Sequence, residues 1–254
     1  MRSPPQTILI IPITGIPEIK PGDDIVSIVA DAVFKQDTYI LNGDIIVLAQ
    51  KIVSKAEGRT VRLSDVSPSP LAVKFANDWN KDPRMVEVAL SEAKRIVKMD
   101  RGRLIVETSH GIICANSGID ASNVSGGETV TLLPLDPDES ARRIAQGFKE
   151  RLGVKTAVII TDTVGRPWRD GLTEIAIGCW GIKPLKDYRG KPDLRGYELR
   201  ATLIAIADEI AGAAGLVMGK TDAVPAVIVR GCTYEYGERG AKELIRKPED
   251  DLFR

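Results

Sequence analysis

Apolar residues, in places alternating with polar ones and in places continuous, predict strands over residues 7–13, 44–49, 103–108, 111–115, 129–134, 155–161, 173–178 and 225–230. Spacings of three and four predict helices elsewhere. In 22–34, Ile25, Ile28, Val29 and Val33 fall on one face, and Asp23 and Asp24 stand where the helix dipole favours negative charge. In 139–152, Ile144, Phe148 and Leu152 share a face and Gly153 is the expected stop. Similar spacing predicts helices over 85–99 and 199–218, and a less regular pattern one over 68–80. Strands and helices do not alternate in a regular rhythm and no repeat period is present, so the expected fold class is α+β. The basic, Gly/Pro-rich stretch 181–196 reads as a loop, and the polar stretch from Thr233 as a tail.

Composition narrows the class. A chain of 254 residues forms one large domain or two interlocked lobes with enough surface to bury a core. Thirty-five basic residues balance thirty-five acidic ones, which removes the bulk attraction behind non-specific nucleic-acid binding, so no nucleic-acid partner is expected. The most apolar long stretch, 199–218, carries Arg200, Asp208 and Glu209, and the run Ile8–Ile13 is too short for a signal peptide; no membrane is expected, and the expected location is the cytoplasm. Cys114, Cys179 and Cys232 lie far apart, which argues against a disulfide framework or a zinc site.

Two turns have the chemistry of a hard-cation or phosphate site, each with an isolated Asp at the exit of an apolar strand. One is residues 116–123, with Asp120 and Asn123; the other is 161–169, with Asp162, Thr163, Arg166 and Arg169 around Trp168. The same residues also suit Asx turns and helix caps, and an Arg–Trp stack is a common surface feature. Lys51 and Lys55, after the strand 44–49, would either hold a phosphate as point charges or lie on a solvated face. No P-loop or dinucleotide glycine fingerprint occurs. His110, the only histidine, has no acidic partner at motif spacing and reads as structural; Cys114 and Cys179 read as core.

The segments GIPEI, VSKAEGR, GIDASNV, LDPD, IITDTVGRPWR, ADEIA and VIVRG occur in an order that resembles the coenzyme F420-0:γ-glutamyl ligases, from about Ile10 to the end of the chain. The resemblance implies a two-lobed α+β subunit in an intertwined homodimer, with residues 1–254 as a single ligase domain and no C-terminal nitroreductase-like domain. It implies GTP as co-substrate, Mg²⁺ or Mn²⁺ (two per site) with K⁺ as a further candidate, and L-glutamate and coenzyme F420-0 as the other substrates. An acyl phosphate formed on the acceptor carboxylate would be attacked by the glutamate amine, and a γ-linked tail would follow. Carried over by residue, Asp120 and Asp162 would be metal carboxylates and Thr163 a main-chain ligand. Ile16, Pro17, Glu18, Ile19, Lys55, Asn123 and the stretch Met218, Gly219, Lys220, Thr221, Asp222 would hold nucleotide, and Arg166 and Arg169 the anionic acceptor or glutamate.

Two positions depart from the archaeal pattern. Lys220 stands where an acidic metal ligand is expected, so either Asp222 substitutes, or the second metal is held differently, or Lys220 contacts phosphate; the bacterial branch also carries lysine there. Gln50-Lys51 replaces a Ser-Thr nucleotide contact. Two other readings remain at this level: a phosphoribosyltransferase-like protein, from the apolar strand leading into Thr161-Asp162-Thr163, and a non-catalytic nucleotide-binding module.

Overall fold

The computed structural model of the chain describes residues 7–120 and 128–252. In chain order its elements are β1 (Leu9–Ile13), α1 (Ile25–Lys35), β2 (Ile45–Ala49), α2 (Gln50–Ala56), β3 (Thr60–Arg62), α3 (Pro70–Trp79), α4 (Pro83–Ser91), β4 (Ala93–Asp100), β5 (Arg103–Thr108) and β6 (Ile113–Ala115). There follow β7 (Thr129–Thr131), α5 (Pro137–Leu152), β8 (Ala157–Arg166), β9 (Arg169–Trp180), β10 (Lys186–Asp187), β11 (Leu203–Ile204), α6 (Ile206–Met218) and β12 (Ala226–Arg230). The α+β expectation holds.

The main sheet has the order β1-β12-β2-β8-β9, with β2 and β8 parallel and the other neighbours antiparallel. Its central strands read as unbroken apolar runs because both faces are covered. Ile46, Leu48, Val158 and Ile160 pack under α1 and α5, whereas Ile45, Val47, Ile159 and Val227 pack under α6. Each such aliphatic side chain contributes about 1.5–3 kcal/mol when fully buried. Pro12, which lacks a backbone donor, is tolerated because β1 is an edge strand. Asp24 caps α1 by accepting from Val26 N, and α5, expected from 139, starts at Pro137 behind Asp136, which accepts from Glu139 N. Gly153 ends α5 with a left-handed φ of 71°.

A second group of elements surrounds two smaller cores. Phe75 and Ala76 of α3 and Val86 and Ala89 of α4 pack on Leu104 and Val106 of β5; Val88 meets Leu63, Val130 and Leu132. Here the expected helix over 85–99 is corrected: α4 stops at Ser91 and Ala93–Asp100 is strand β4. The cause lies downstream, where Arg101 and Gly102, at φ 47° and 69°, form a two-residue hairpin turn that pairs Asp100 with Arg103 and lays β4 on β5. Buried Glu107 then draws Lys94 and Arg95 onto β5 at 3.3 and 3.0 Å. The helix expected over 199–218 begins at Ile206, after the short strand β11. Residues 50–56, read only as a strand exit, form α2. No helix among the described residues is long and apolar enough to cross a membrane.

Candidate functional site

Parallel β2 and β8 end side by side, and ligand crevices in open sheets form beyond the carboxyl ends of such strands. A cleft of about 660 Å³ opens there, within the range of small-ligand sites. Ile16–Ile19, Gln50, Lys51, Lys55, Asp120, Thr161–Thr163, Glu174 and Met218–Thr221 are on its walls.

The turn expected over 161–169 is corrected, since β8 continues through Arg166 and is paired with β9 along its length. This strand geometry sends Asp162 and Thr163 to opposite faces. Asp162 faces the side of Asp120 and Cys114. Burial pushes its carboxyl up to about 7, helped by the nearby charges of Glu174 and Asp120 and opposed by the Thr163 backbone hydrogen bond and by Lys220. Asp120 is fixed by a backbone bridge to Thr131, with reciprocal N–H to O bonds of 3.0 and 2.8 Å, and its carboxylate pairs with Lys51 Nζ at 2.6 Å. The Cys114 thiol is pushed up to about 12 by burial and then by the charge of Asp162, which suits an inert core residue.

On the other face, Glu174 of β9 gathers the polar groups. Its Oε2 lies 3.0 Å from Thr161 Oγ1, its Oε1 accepts from the Thr163 hydroxyl, and Lys220 Nζ donates to the same Oε1 at 2.8 Å and to Thr163 Oγ1. Across the cleft Lys55, a buried lysine on the last turn of α2, pairs with Glu18 at 2.5 Å. Three lysines therefore approach one cleft in a chain of zero net charge.

Of the residues singled out in the sequence, the cleft gathers Ile16, Pro17, Glu18, Ile19, Lys55, Asp120, Asp162, Thr163, Met218, Gly219, Lys220 and Thr221. Asp222 lies just behind, its Oδ2 1.9 Å from a Cβ built on Gly219, and the φ of 56° at residue 219 favours glycine in that turn. Arg166 and Arg169 sit outside the cleft at the exposed tip of the β8–β9 hairpin, where Arg166 donates to the Asp170 carbonyl at 3.0 Å. Asn123 lies outside the described residues. Glu174 does not stand out in the sequence, because a single acidic residue in a strand reads as solvent-facing, and Lys51 suits either a phosphate or a solvated face.

Among the described residues no three His, Cys, Asp or Glu side chains form a self-sufficient metal cluster. The donors nevertheless fit a hard cation of the kind that uses one or two carboxylates together with substrate phosphates. They are oxygen atoms, and Asp162, half-buried on the cleft wall, carries negative charge only at the expense of its solvation. A second cavity, about 500 Å³, lies at the outer edge of β9 beside His110, Asp138 and Asp208. Its carboxylates serve the fold: Asp138 accepts from Cys179 N and Ala241 N, and Asp208 from Ala176 N, which seals the backbone of an edge strand. His110 Nε2 lies 3.1 Å from the Leu135 carbonyl.

Residues 14–231 match the F420-0:gamma-glutamyl ligase family. Three relatives carry the name coenzyme F420:L-glutamate ligase. That of Methanothermobacter thermautotrophicus is 45% identical over 252 residues, covering 97% of this chain and 99% of the relative. That of Methanopyrus kandleri is 43% identical over 253 residues, covering 98% of each. That of Methanocaldococcus jannaschii is 46% identical over 216 residues, covering 85% of this chain and 86% of the relative.

Proposed function

This chain belongs to the F420-0:gamma-glutamyl ligase family, and on that premise we propose that it joins L-glutamate to coenzyme F420-0 at the expense of GTP and extends the product by γ-linked glutamates. The observation that carries the reading is the convergence of Asp120, Asp162, Lys51, Lys55 and Lys220 on one cleft at the sheet's carboxyl end.

A carboxylate is a poor acyl donor. The acceptor carboxylate oxygen attacks the γ-phosphorus of GTP, the bond to the bridging oxygen breaks, and GDP leaves with that electron pair. The glutamate nitrogen then attacks the acyl carbon, loses a proton, and expels inorganic phosphate. Lys55, fixed by Glu18, and Lys220, fixed by Glu174, present positive charge to the phosphates from opposite walls. Asp120 and Asp162 would hold Mg²⁺ or Mn²⁺, and a divalent cation there neutralises phosphate charge and favours in-line transfer. The glycine at 219 brings backbone close to the nucleotide, and Ile16–Ile19 close the apolar side. A second copy of the chain is the expected partner: Trp168, Leu172 and Leu216 are 79%, 69% and 81% exposed on the hairpin and α6, apolar surface suited to an intertwined dimer.

The test is incubation with GTP, Mn²⁺, L-glutamate and F420-0. The expected outcome is a product heavier by one or more glutamyl units, with one GDP per glutamate added. No mass gain, with an active ligase run in parallel, would remove the assignment.

A further inference from the structure

The Lys220 ammonium sits among oxygens that would otherwise suit a metal ion. Thr163 Oγ1 accepts from it, Glu174 Oε1 accepts from it at 2.8 Å, and Thr161 Oγ1 lies 3.0 Å from Glu174 Oε2. The Glu174 side chain is only 9% exposed, whereas that of Lys220 is 66% exposed and lines the cleft. The carboxylate is therefore committed and the cation faces the ligand. Among the described residues two of the three ammonium N–H groups are engaged by these acceptors, and the third is placed to meet a phosphate oxygen.

The surrounding structure is shaped for this pair. A Cβ on Gly215 of α6 would stand 2.7 Å from Glu174 Cγ, so the helix must present a glycine for the carboxylate to lie between α6 and β9. Lys220 follows α6 directly after Gly219, beside the negative end of a helix whose last turn has no other basic residue. A divalent ion placed at Thr163 would meet a fixed positive charge and a carboxylate already neutralised. Among the described residues no ion pair holds Asp162, on the opposite face of β8, although the charge of Lys220 acts on it; Asp120 is paired with Lys51, and both acidic groups line the cleft.

We propose that Lys220, held by Glu174 and Thr163, is a built-in cation that takes the place of a second divalent ion, so that this chain binds one Mg²⁺ or Mn²⁺ per site, on the Asp120–Asp162 side. Glu174 is on this view a positioning residue, acting through Lys220. The inference rests on the ligase reading for the identity of the phosphate ligand and concerns only how the charge at the site is supplied.

The experiment counts Mn²⁺ bound to the whole protein by equilibrium dialysis and electron paramagnetic resonance, with one equivalent of GDP and a protein-free control. Wild type is expected to bind one Mn²⁺ per chain. Lys220→Ala frees Glu174 and is expected to bind two, with glutamylation lost at low Mn²⁺ and partly restored by excess Mn²⁺. Adding Glu174→Gln to Lys220→Ala should return the count to one, a readout that a purely structural role for Glu174 would not move. Two Mn²⁺ per wild-type chain, or a count of one in Lys220→Ala, overturns the inference and leaves the ligase reading standing if glutamylation persists. No Mn²⁺ on the wild type removes the proposed metal chemistry and this inference with it.

Discussion

Asp162→Asn is expected to cost more than about 100-fold in glutamylation, beyond the usual loss for an outer partner of a metal, while the metal-free protein melts at the same or a higher temperature. The two effects have one origin. Asp162 is half-buried in the cleft, and loss of solvation, helped by the charges of Glu174 and Asp120, raises its carboxyl from 3.8 to about 7 and makes its charged form unfavourable in the folded state. Asparagine keeps the shape, removes the charge that a cation requires, and removes the penalty for holding it. The sign of the pH effect follows from the raised folded value. The contribution of Asp162 to stability is fully present below about pH 4 and is lost as pH rises through about 7. Metal-free wild type should therefore lose stability relative to Asp162→Asn across that interval, and Mn²⁺ should raise the melting temperature of wild type but not of the variant. Glutamylation within tenfold of wild type at low Mn²⁺ would show that Asp162 does not hold the cation.

Asp162 was legible because a buried strand leaves a clear mark: four apolar residues in a row, then a polar group that only a site or a cap would place there. The segments 16–19 and 218–221, which the resemblance implies as nucleotide contacts, line the same cleft as Asp120. What the sequence concealed depends on pairing partners distant in the chain. Thr163 and Glu174 face each other only because β8 and β9 form a long hairpin whose register, broken between Ile160 and Thr161, no local pattern encodes. That same hairpin carries Arg166 and Arg169 away from the cleft. The stretch 93–100 is compatible with either periodicity, and the turn at Arg101–Gly102 with the attraction of Glu107 decides for strand. Lys51 on its own was ambiguous between solvent and ligand; its partner Asp120 lies in a segment that reaches it only through the β3–β7 pair and the bridge to Thr131.

Gly178→Ala is expected to damage the fold by about 3 kcal/mol, the upper part of the usual range for overpacking. The added Cβ would stand 2.4 Å from both the carbonyl carbon and oxygen of Pro137 and 2.5 Å from its Cβ. Backbone atoms have no rotamer to retreat into. Pro137 is the first residue of α5, fixed by the Asp136 cap and by the 2.8 Å bond from Cys179 N to Asp138, so relief requires lifting α5 from β9. Lifting it unpacks Phe148, which is completely buried, and Ile144. At about 2–4 °C per kcal/mol for a chain near this size, the melting temperature should fall by about 6–12 °C. Gly165→Ala supplies the control on the same sheet, because its Cβ would meet nothing closer than 3.9 Å. A melting temperature for Gly178→Ala within about 2 °C of that control, less than the shift for 1 kcal/mol, would mean that α5 can rise without loss. If α5 cannot rise, β9 is held rigidly at Gly178, and the pairing of Ala176 with Thr161 and Glu174 with Thr163 is held with it. The contact that excludes a methyl group at Gly178 then also keeps Glu174 in reach of Lys220.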